Sequence, residues 1–201
     1  MGVGEQRVRV IAGTHRGRTI NAPKGDSTRP TSDRVREALF SSLTSLLGAG
    51  LGGGPVLDAF AGSGALGVEA LSRGCVSATF VESDRLAGRA LHGNIESLAL
   101  QGRSRVVEGD VLSLAAACAV PGGPFSLLLL DPPYRLAWCD IEGLTSALAR
   151  CELLVDGAVI VYEHASGAPG EWRSSFDLAT RKKYGKTEID IVIYRREGGS
   201  S

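Results

Sequence analysis

Charged and apolar residues alternate through Arg7-Val8-Arg9-Val10-Ile11, pause across Ala12-Gly13-Thr14-His15-Arg16-Gly17, and resume at Arg18-Thr19-Ile20. A period of two interrupted by glycines predicts a β-hairpin, with arginines on one face and valines and isoleucines on the other. Residues 21–30 are rich in Pro, Gly, Asp and Ser, which predicts a loop. Thr31 or Ser32 can cap a helix, and Asp33 suits its positive end. Val35, Leu39, Leu43, Leu46 and Leu47 then recur at helical spacing and predict an amphipathic helix over 33–47 with one buried stripe. Five glycines between Gly48 and Pro55 end that helix and predict a flexible join.

From Val56 the pattern changes to strands alternating with helices. Val56-Leu57, Ala78–Glu82, Arg105–Glu108, Ser126–Leu130 and Gly157–Glu163 predict strands; Ala65–Arg73, Arg85–Leu98 and Ile141–Cys151 predict helices. Phe176–Tyr184 and Thr187–Arg195, turning about Gly185, predict two closing antiparallel strands. The expected fold class is therefore α/β, a Rossmann-like, mostly parallel sheet with helices on both faces. Residues 1–50 are expected to form a basic hairpin-and-helix extension, 51–196 the main domain, and 197–201 a disordered tail.

A chain of 201 residues suits one domain with a small appendage. Its longest apolar runs fall well short of the roughly 18 residues a membrane span needs, and arginines interrupt any leader-like pattern at the start. Cys75, Cys118, Cys139 and Cys151 are scattered, with neither a C-x-x-C pair nor a histidine at metal-ligand spacing. Reduced, mostly core thiols, a cytoplasmic protein, no metal and a monomer are the expectations. Net charge is zero but unevenly spread: residues 1–36 carry a net +5 and the remainder −5. A basic arm on an acidic body points to a polyanionic partner.

The chemistry-bearing stretch is Leu127-Leu-Leu-Leu-Asp-Pro-Pro-Tyr134. Four leucines read as a strand buried on both faces, and Pro132 and Pro133 stop it. Asp131 is thereby delivered to the carboxyl end of a central strand, where open α/β sheets place their chemistry. A carboxylate, a rigid carbonyl and the Tyr134 ring together can hold a planar base by an exocyclic amino group. Upstream, Asp58-Ala59-Phe60-Ala61-Gly62-Ser63-Gly64 follows the first strand of the alternating region and opens a helix. It is neither G-x-G-x-x-G nor a P-loop. The acid before the glycines would repel a pyrophosphate but suits a cofactor that carries an ammonium or sulfonium. Glu82, followed by Ser83, can accept from ribose hydroxyls, and Asp110, followed by Val111, can accept from an adenine amino group.

These motifs resemble the class I S-adenosylmethionine-dependent methyltransferases that modify amino groups. Arg9-Val-Ile-Ala-Gly-Thr-His-Arg-Gly-Arg18 and Thr28-Arg-Pro-Thr-Ser-Asp-Arg-Val-Arg-Glu-Ala-Leu-Phe40 resemble, more narrowly, the bacterial 16S ribosomal RNA guanine-N2 methyltransferases of the RsmD type. That resemblance spans about residues 7–195. It implies a seven-stranded sheet and S-adenosylmethionine lying over Asp58, Phe60, Ala61, Gly62, Ser63, Gly64, Glu82, Ser83, Asp110, Val111 and Asp131. It implies Arg29 and Thr31 near that cofactor, and Asp131, Pro132, Pro133 and Tyr134 as the catalytic set. Arg7, Arg9, Arg16, Arg18 and Arg34 would contact 16S rRNA, free or within a small ribosomal subunit or its assembly intermediate. A DNA amino-methyltransferase and a non-catalytic RNA-binding assembly factor remain alternatives. A cytosine-C5 enzyme is disfavoured, since none of the four cysteines follows a proline at the fourth strand.

Overall fold

The structure, a computed structural model, describes residues 5–23, 33–133, 135–167 and 170–196. The hairpin forms from β1 (Glu5–Arg9) and β2 (Thr19–Pro23), antiparallel with Arg7 opposite Asn21 and Val8 opposite Ile20. Val8, Val10 and Ile20 are buried while Arg7, Arg9, Arg16 and Arg18 are exposed, as the alternation requires. β2 runs on to Pro23, into the stretch expected as loop. The remainder of that loop, the Thr31 and Ser32 caps and the tail after 196 lie outside the described residues.

Helix α1 (Asp33–Leu47) has the expected bounds but not the whole expected stripe. Leu39, Phe40 and Leu43 are buried together with Arg36, whereas Leu46 is 44% exposed. The glycine-rich join is folded rather than a bare linker: a 3-10 turn over Leu51–Gly53 drives Leu51 into the core.

Seven strands form the main sheet: β3 (Val56–Asp58), β4 (Ala78–Glu82), β5 (Ser104–Glu108), β6 (Phe125–Leu130), β7 (Leu154–Ala165), β8 (Phe176–Tyr184) and β9 (Thr187–Tyr194). Their spatial order is β5-β4-β3-β6-β7-β9-β8, with β9 antiparallel to both of its neighbours and every other pairing parallel. Helices α2 (Ala65–Arg73), α3 (Arg85–Ser97), α4 (Val111–Ala116) and α5 (Trp138–Arg150) complete the chain. α4 was not anticipated; at six residues it is too short to display a helical period.

Alternating strand residues divide the core in two. Val56, Phe80, Leu127, Leu129, Val159 and Ile191 pack with α1, α2, α3 and the hairpin. Leu57, Val81, Leu128, Leu130, Ile160 and Val192 pack with α4 and α5 on the opposite face. The hairpin is thus continuous with one face of the core.

The cysteine expectation is corrected. Cys118 and Cys151 form a disulfide, with Cα atoms 5.4 Å apart, that joins the end of α4 to the end of α5. Cys75 is a buried thiol, as expected, but Cys139 is exposed. The spacing of 33 residues carries no local sign of this pairing, which exists because two helices end side by side.

Candidate active site

Parallel register sets the geometry. Asp58 lies opposite both Phe80 of β4 and Leu129 of β6. Glu82 and Asp131 are each two residues farther along their strands, roughly 7 Å higher at ~3.3 Å per residue. The end of β3 is therefore the floor of a notch whose walls are the tips of β4 and β6. The chain crosses that notch as the glycine turn, where Ala59 N–H donates to Leu129 O (3.1 Å) and Ala61 N–H to Val81 O (3.0 Å).

Two glycines are dictated by this crossing. Gly62 has φ of 54° and Gly64 of 84°, the left-handed region costly to most L-residues. A Cβ on Gly64 would also stand 2.5 Å from Leu91 Cδ1, whereas one on Gly62 would meet nothing within 4 Å among the described residues. The Gly62 backbone therefore presents an open side. Ser63 and Ala61 are buried, and Phe60 is half-buried.

The acids divide by role. Asp58 is 1% exposed; its Oδ2 accepts from Gly67 N–H at 2.8 Å, which ties β3 to the first turn of α2. Its Oδ1 is buried and has no hydrogen-bond partner among the described residues. Burial, with a smaller contribution from Glu82, pushes the Asp58 carboxyl up to about 7 against the Gly67 hydrogen bond. Glu82 accepts from Gly62 N–H through Oε2 and from Asp84 N–H through Oε1, both at 2.6 Å. It braces the glycine turn, leaving only the second lone pairs of its oxygens for a ligand. Asp84, next to exposed Ser83, caps α3 through Leu86 and Ala87 N–H. Asp110 is exposed and caps α4, accepting from Leu112 N–H, Ser113 N–H and the Ser113 hydroxyl. The Ser113 hydroxyl chiefly holds it below the usual carboxylate range. Buried Val111 begins that helix.

Asp131 follows β6 and heads the half-buried Pro132 and Pro133. The residue keeps some exposed surface, but its carboxyl is withdrawn from water. Burial, then Glu163, then Asp58 raise it well above the ordinary range. The β6–β7 register explains the second cause: Leu130 pairs with Tyr162, so Asp131 and Glu163 stand side by side. Glu163 ends the strand read as Gly157–Glu163, but the sequence reading did not select it. The strand-tip rule that selected Asp131 would have found it.

The structure brings Asp58, Gly62, Ser63, Gly64, Glu82 and Asp131 to one notch. Asp110 lies beyond it at the end of β5, turned toward its own helix. Arg29, Thr31 and Tyr134 lie outside the described residues. Among the arm residues, Arg7, Arg9, Arg16 and Arg34 are exposed without an ion-pair partner among the described residues, while Arg18 donates to Ser97 O at 2.6 Å. A broad cleft lined by Arg150, Arg173, Tyr194 and Arg196 lies at the opposite end of the sheet, far from these acids. No three acids, cysteines or histidines among the described residues are grouped to hold a metal ion. No helix among them is long and apolar enough to cross a membrane.

An open sheet of this order, with a glycine turn after the innermost strand and acids on the flanking tips, is the Rossmann-like architecture of the class I methyltransferases. The chain belongs to the family described as "Conserved hypothetical protein 95", whose model matches residues 8–193. It is 41% identical over 196 residues to "Ribosomal RNA small subunit methyltransferase D" of Escherichia coli strain K12, covering 96% of this chain and 92% of that one. The protein of the same name from Haemophilus influenzae is 33% identical, covering 94% of this chain and 92% of its own. Among solved structures, yhhF of Escherichia coli superimposes with a TM-score of 0.79 at 33% identity, covering 96% of this chain and all of that one. A hypothetical protein of Thermus thermophilus gives 0.71 at 29% identity, covering 92% of this chain and 98% of its own.

The residues fit the cofactor such a fold uses. Asp58 Oδ1 is a buried acceptor lacking a donor among the described residues, which an ammonium would satisfy. The open side of Gly62 admits close approach of a ligand to the backbone.

Proposed function

We propose that this protein transfers a methyl group from S-adenosylmethionine to the exocyclic N2 of a guanine in 16S ribosomal RNA. The reading is carried by one observation: a withdrawn carboxyl, Asp131, stands at the tip of β6 above a notch floored by Asp58. The curated relatives named for small-subunit rRNA methylation support the substrate class. The reaction would then occur in the cytoplasm, on free RNA or an assembling subunit.

S-adenosylmethionine, when bound, supplies an activated methyl on a sulfonium. Asp58 would hold its ammonium through Oδ1, Gly62 and Ser63 would line it, and Glu82 would receive its ribose. Arg29 and Thr31 would close over it, and Asp110 and Val111 would border its adenine. Asp131 and the Pro132 carbonyl would accept the two N–H hydrogens of the guanine amine, favouring a pyramidal nitrogen with its lone pair toward the methyl. Tyr134 would stack on the flipped base; such stacking contributes about 1–3 kcal/mol. Asp131, its proton affinity raised by burial and by Glu163, would take the amine proton as the N–C bond forms. Arg7, Arg9, Arg16 and Arg34 would bind phosphates.

The test is methyl transfer to unmethylated small-subunit rRNA and subunits, with nucleosides identified by mass spectrometry. N2-methylguanosine is expected from the wild type, and Asp131→Ala should lower the rate by about 10²–10⁴-fold with S-adenosylmethionine affinity little changed. Methylation of another base, of DNA alone, or of nothing would overturn the reading.

A further inference from the structure

We propose that Asn94 is a positioning residue that couples RNA binding on the hairpin to cofactor binding at the glycine turn, so that each ligand strengthens the other's hold. The inference rests on the function proposed above but concerns a residue that neither touches the reacting atoms nor belongs to the acid set.

Asn94 lies in the last full turn of α3 and is 1% exposed. Its side-chain amide spans three elements. Oδ1 accepts from Asn21 N–H at 2.9 Å, and Nδ2 donates to Asn21 O at 2.8 Å. The amide thus engages both backbone groups of one β2 residue, as a neighbouring strand would. The second Nδ2 hydrogen goes to Ser63 O at 2.9 Å, between the two positive-φ glycines of the cofactor turn. On the other side of the hairpin, Asn21 faces Arg7, an exposed arginine of the RNA-facing set. Four residues therefore link the two sites: Arg7, Asn21, Asn94 and Ser63.

The glycine turn is where this link has most effect. Gly62 and Gly64 give the 62–64 peptides more accessible conformations than other residues would, so ordering them costs entropy on cofactor binding. The hydrogen bond from Asn94 to Ser63 O orients the central peptide. When RNA further restrains the docked hairpin, Asn21 holds the Asn94 amide and Asn94 holds Ser63. The ordering cost is then met once for both ligands, the condition for positive cooperativity without a change of shape. Removing the amide leaves the ligand-contacting side chains of each site in place and cuts the link.

The experiment is equilibrium dialysis of full-length protein with S-adenosylhomocysteine, which cannot transfer a methyl, with and without saturating unmethylated small ribosomal subunits. Wild type should bind S-adenosylhomocysteine at least about fivefold more tightly with subunits present, the lower end of common coupling strengths. In Asn94→Ala the ratio should fall below about twofold while each ligand alone still binds. Asn94→Asp, isosteric but without donors for Ser63 O and Asn21 O, should do the same and decides the matter if the alanine variant does not fold. No tightening in the wild type would overturn the proposal. So would tightening that survives both substitutions, even with a lowered melting temperature, since that marks a merely structural asparagine. Failure of the wild type to bind either ligand would instead overturn the proposed function.

Discussion

At the scale of single residues, Asp58 gives the sharpest expectation, because the fold charges it at a cost. Its folded carboxyl titrates near 7, above its ordinary value, so the folded state holds more protons than the unfolded one in between. The Asp58 contribution to stability is then fullest below about pH 4 and declines as pH rises toward 7, by up to roughly 1.4 kcal/mol per pH unit inside that window. Asp58→Asn keeps an acceptor for Gly67 N–H and removes the ionisation. Its denaturation midpoint should exceed wild type at pH 8 and match it near pH 4, while its affinity for S-adenosylmethionine falls. A stability difference between wild type and Asp58→Asn that does not change between pH 4 and 8 would refute this. Asp131 makes a kinetic counterpart. Single-turnover methyl transfer should rise with pH along a limb above the ordinary carboxylate range, and Glu163→Gln, which removes the neighbouring negative charge, should move that limb to lower pH. Asp58 and Asp131 were legible because strand ends and prolines mark them locally. Glu163 was not selected, because its closeness to Asp131 is a matter of register between strands, which no local pattern writes down. Asn94 and Glu69 were not selected, because the hairpin backbone groups they bind lie more than 50 residues away in the chain.

Among elements, the hairpin's seat on α2 is the contact most exposed to test. Glu69 is 0% exposed and accepts from Ile11 N–H (2.7 Å), Ala12 N–H (3.1 Å) and Arg73 Nε (2.6 Å). Ser72 Oγ donates to Ala12 O and accepts from His15 N–H, while a Cβ on Gly13 would collide with Ser72 O. Arg36, buried under the hairpin, donates to Arg9 O and to Asp33. Truncating one partner of a buried ion pair commonly costs about 3–5 kcal/mol, since the other charge is left unpaired. Glu69→Ala should lose stability on that order, and amide exchange should accelerate first over residues 8–20. The second element-scale expectation concerns α4 and α5. A bridge closing a loop of 33 residues removes unfolded-state entropy worth about 3–4 kcal/mol in the chain-entropy account. Reductant should lower the wild-type melting temperature and leave Cys118→Ser unaffected. The helices and strands from Ala65 onward were legible to within a few residues because their periods are long enough to count. α4 has under two turns, and the disulfide depends on where helix ends meet.

For the molecule as a whole, charge and topology act together. The sheet order could be anticipated from alternation alone only as mostly parallel, because strand neighbours are chosen by crossovers that span tens of residues. The charge asymmetry needed no structure: a net +5 in residues 1–36 faces a net −5 elsewhere. The fold adds that this arm is anchored, its valines and isoleucine sharing the core of one sheet face. Its exposed arginines are therefore tied to the domain that carries the notch. Affinity for RNA should fall with salt in proportion to the phosphates neutralised, and each lost contact should reduce the slope of log affinity against log salt by about 0.7–0.9. Arg18 differs from the others, because its guanidinium is bonded to Ser97 O and helps to hold the hairpin on α3. Replacing Arg7, Arg9, Arg16 and Arg34 by glutamine should therefore flatten the slope by up to about 3 and leave the melting temperature near that of wild type. Arg18→Gln should instead lower the melting temperature with a smaller change of slope. Filter binding across a salt series, paired with thermal denaturation, separates the two. An unchanged slope in the fourfold variant would take the arm out of the RNA interface, even if methyl transfer itself survived.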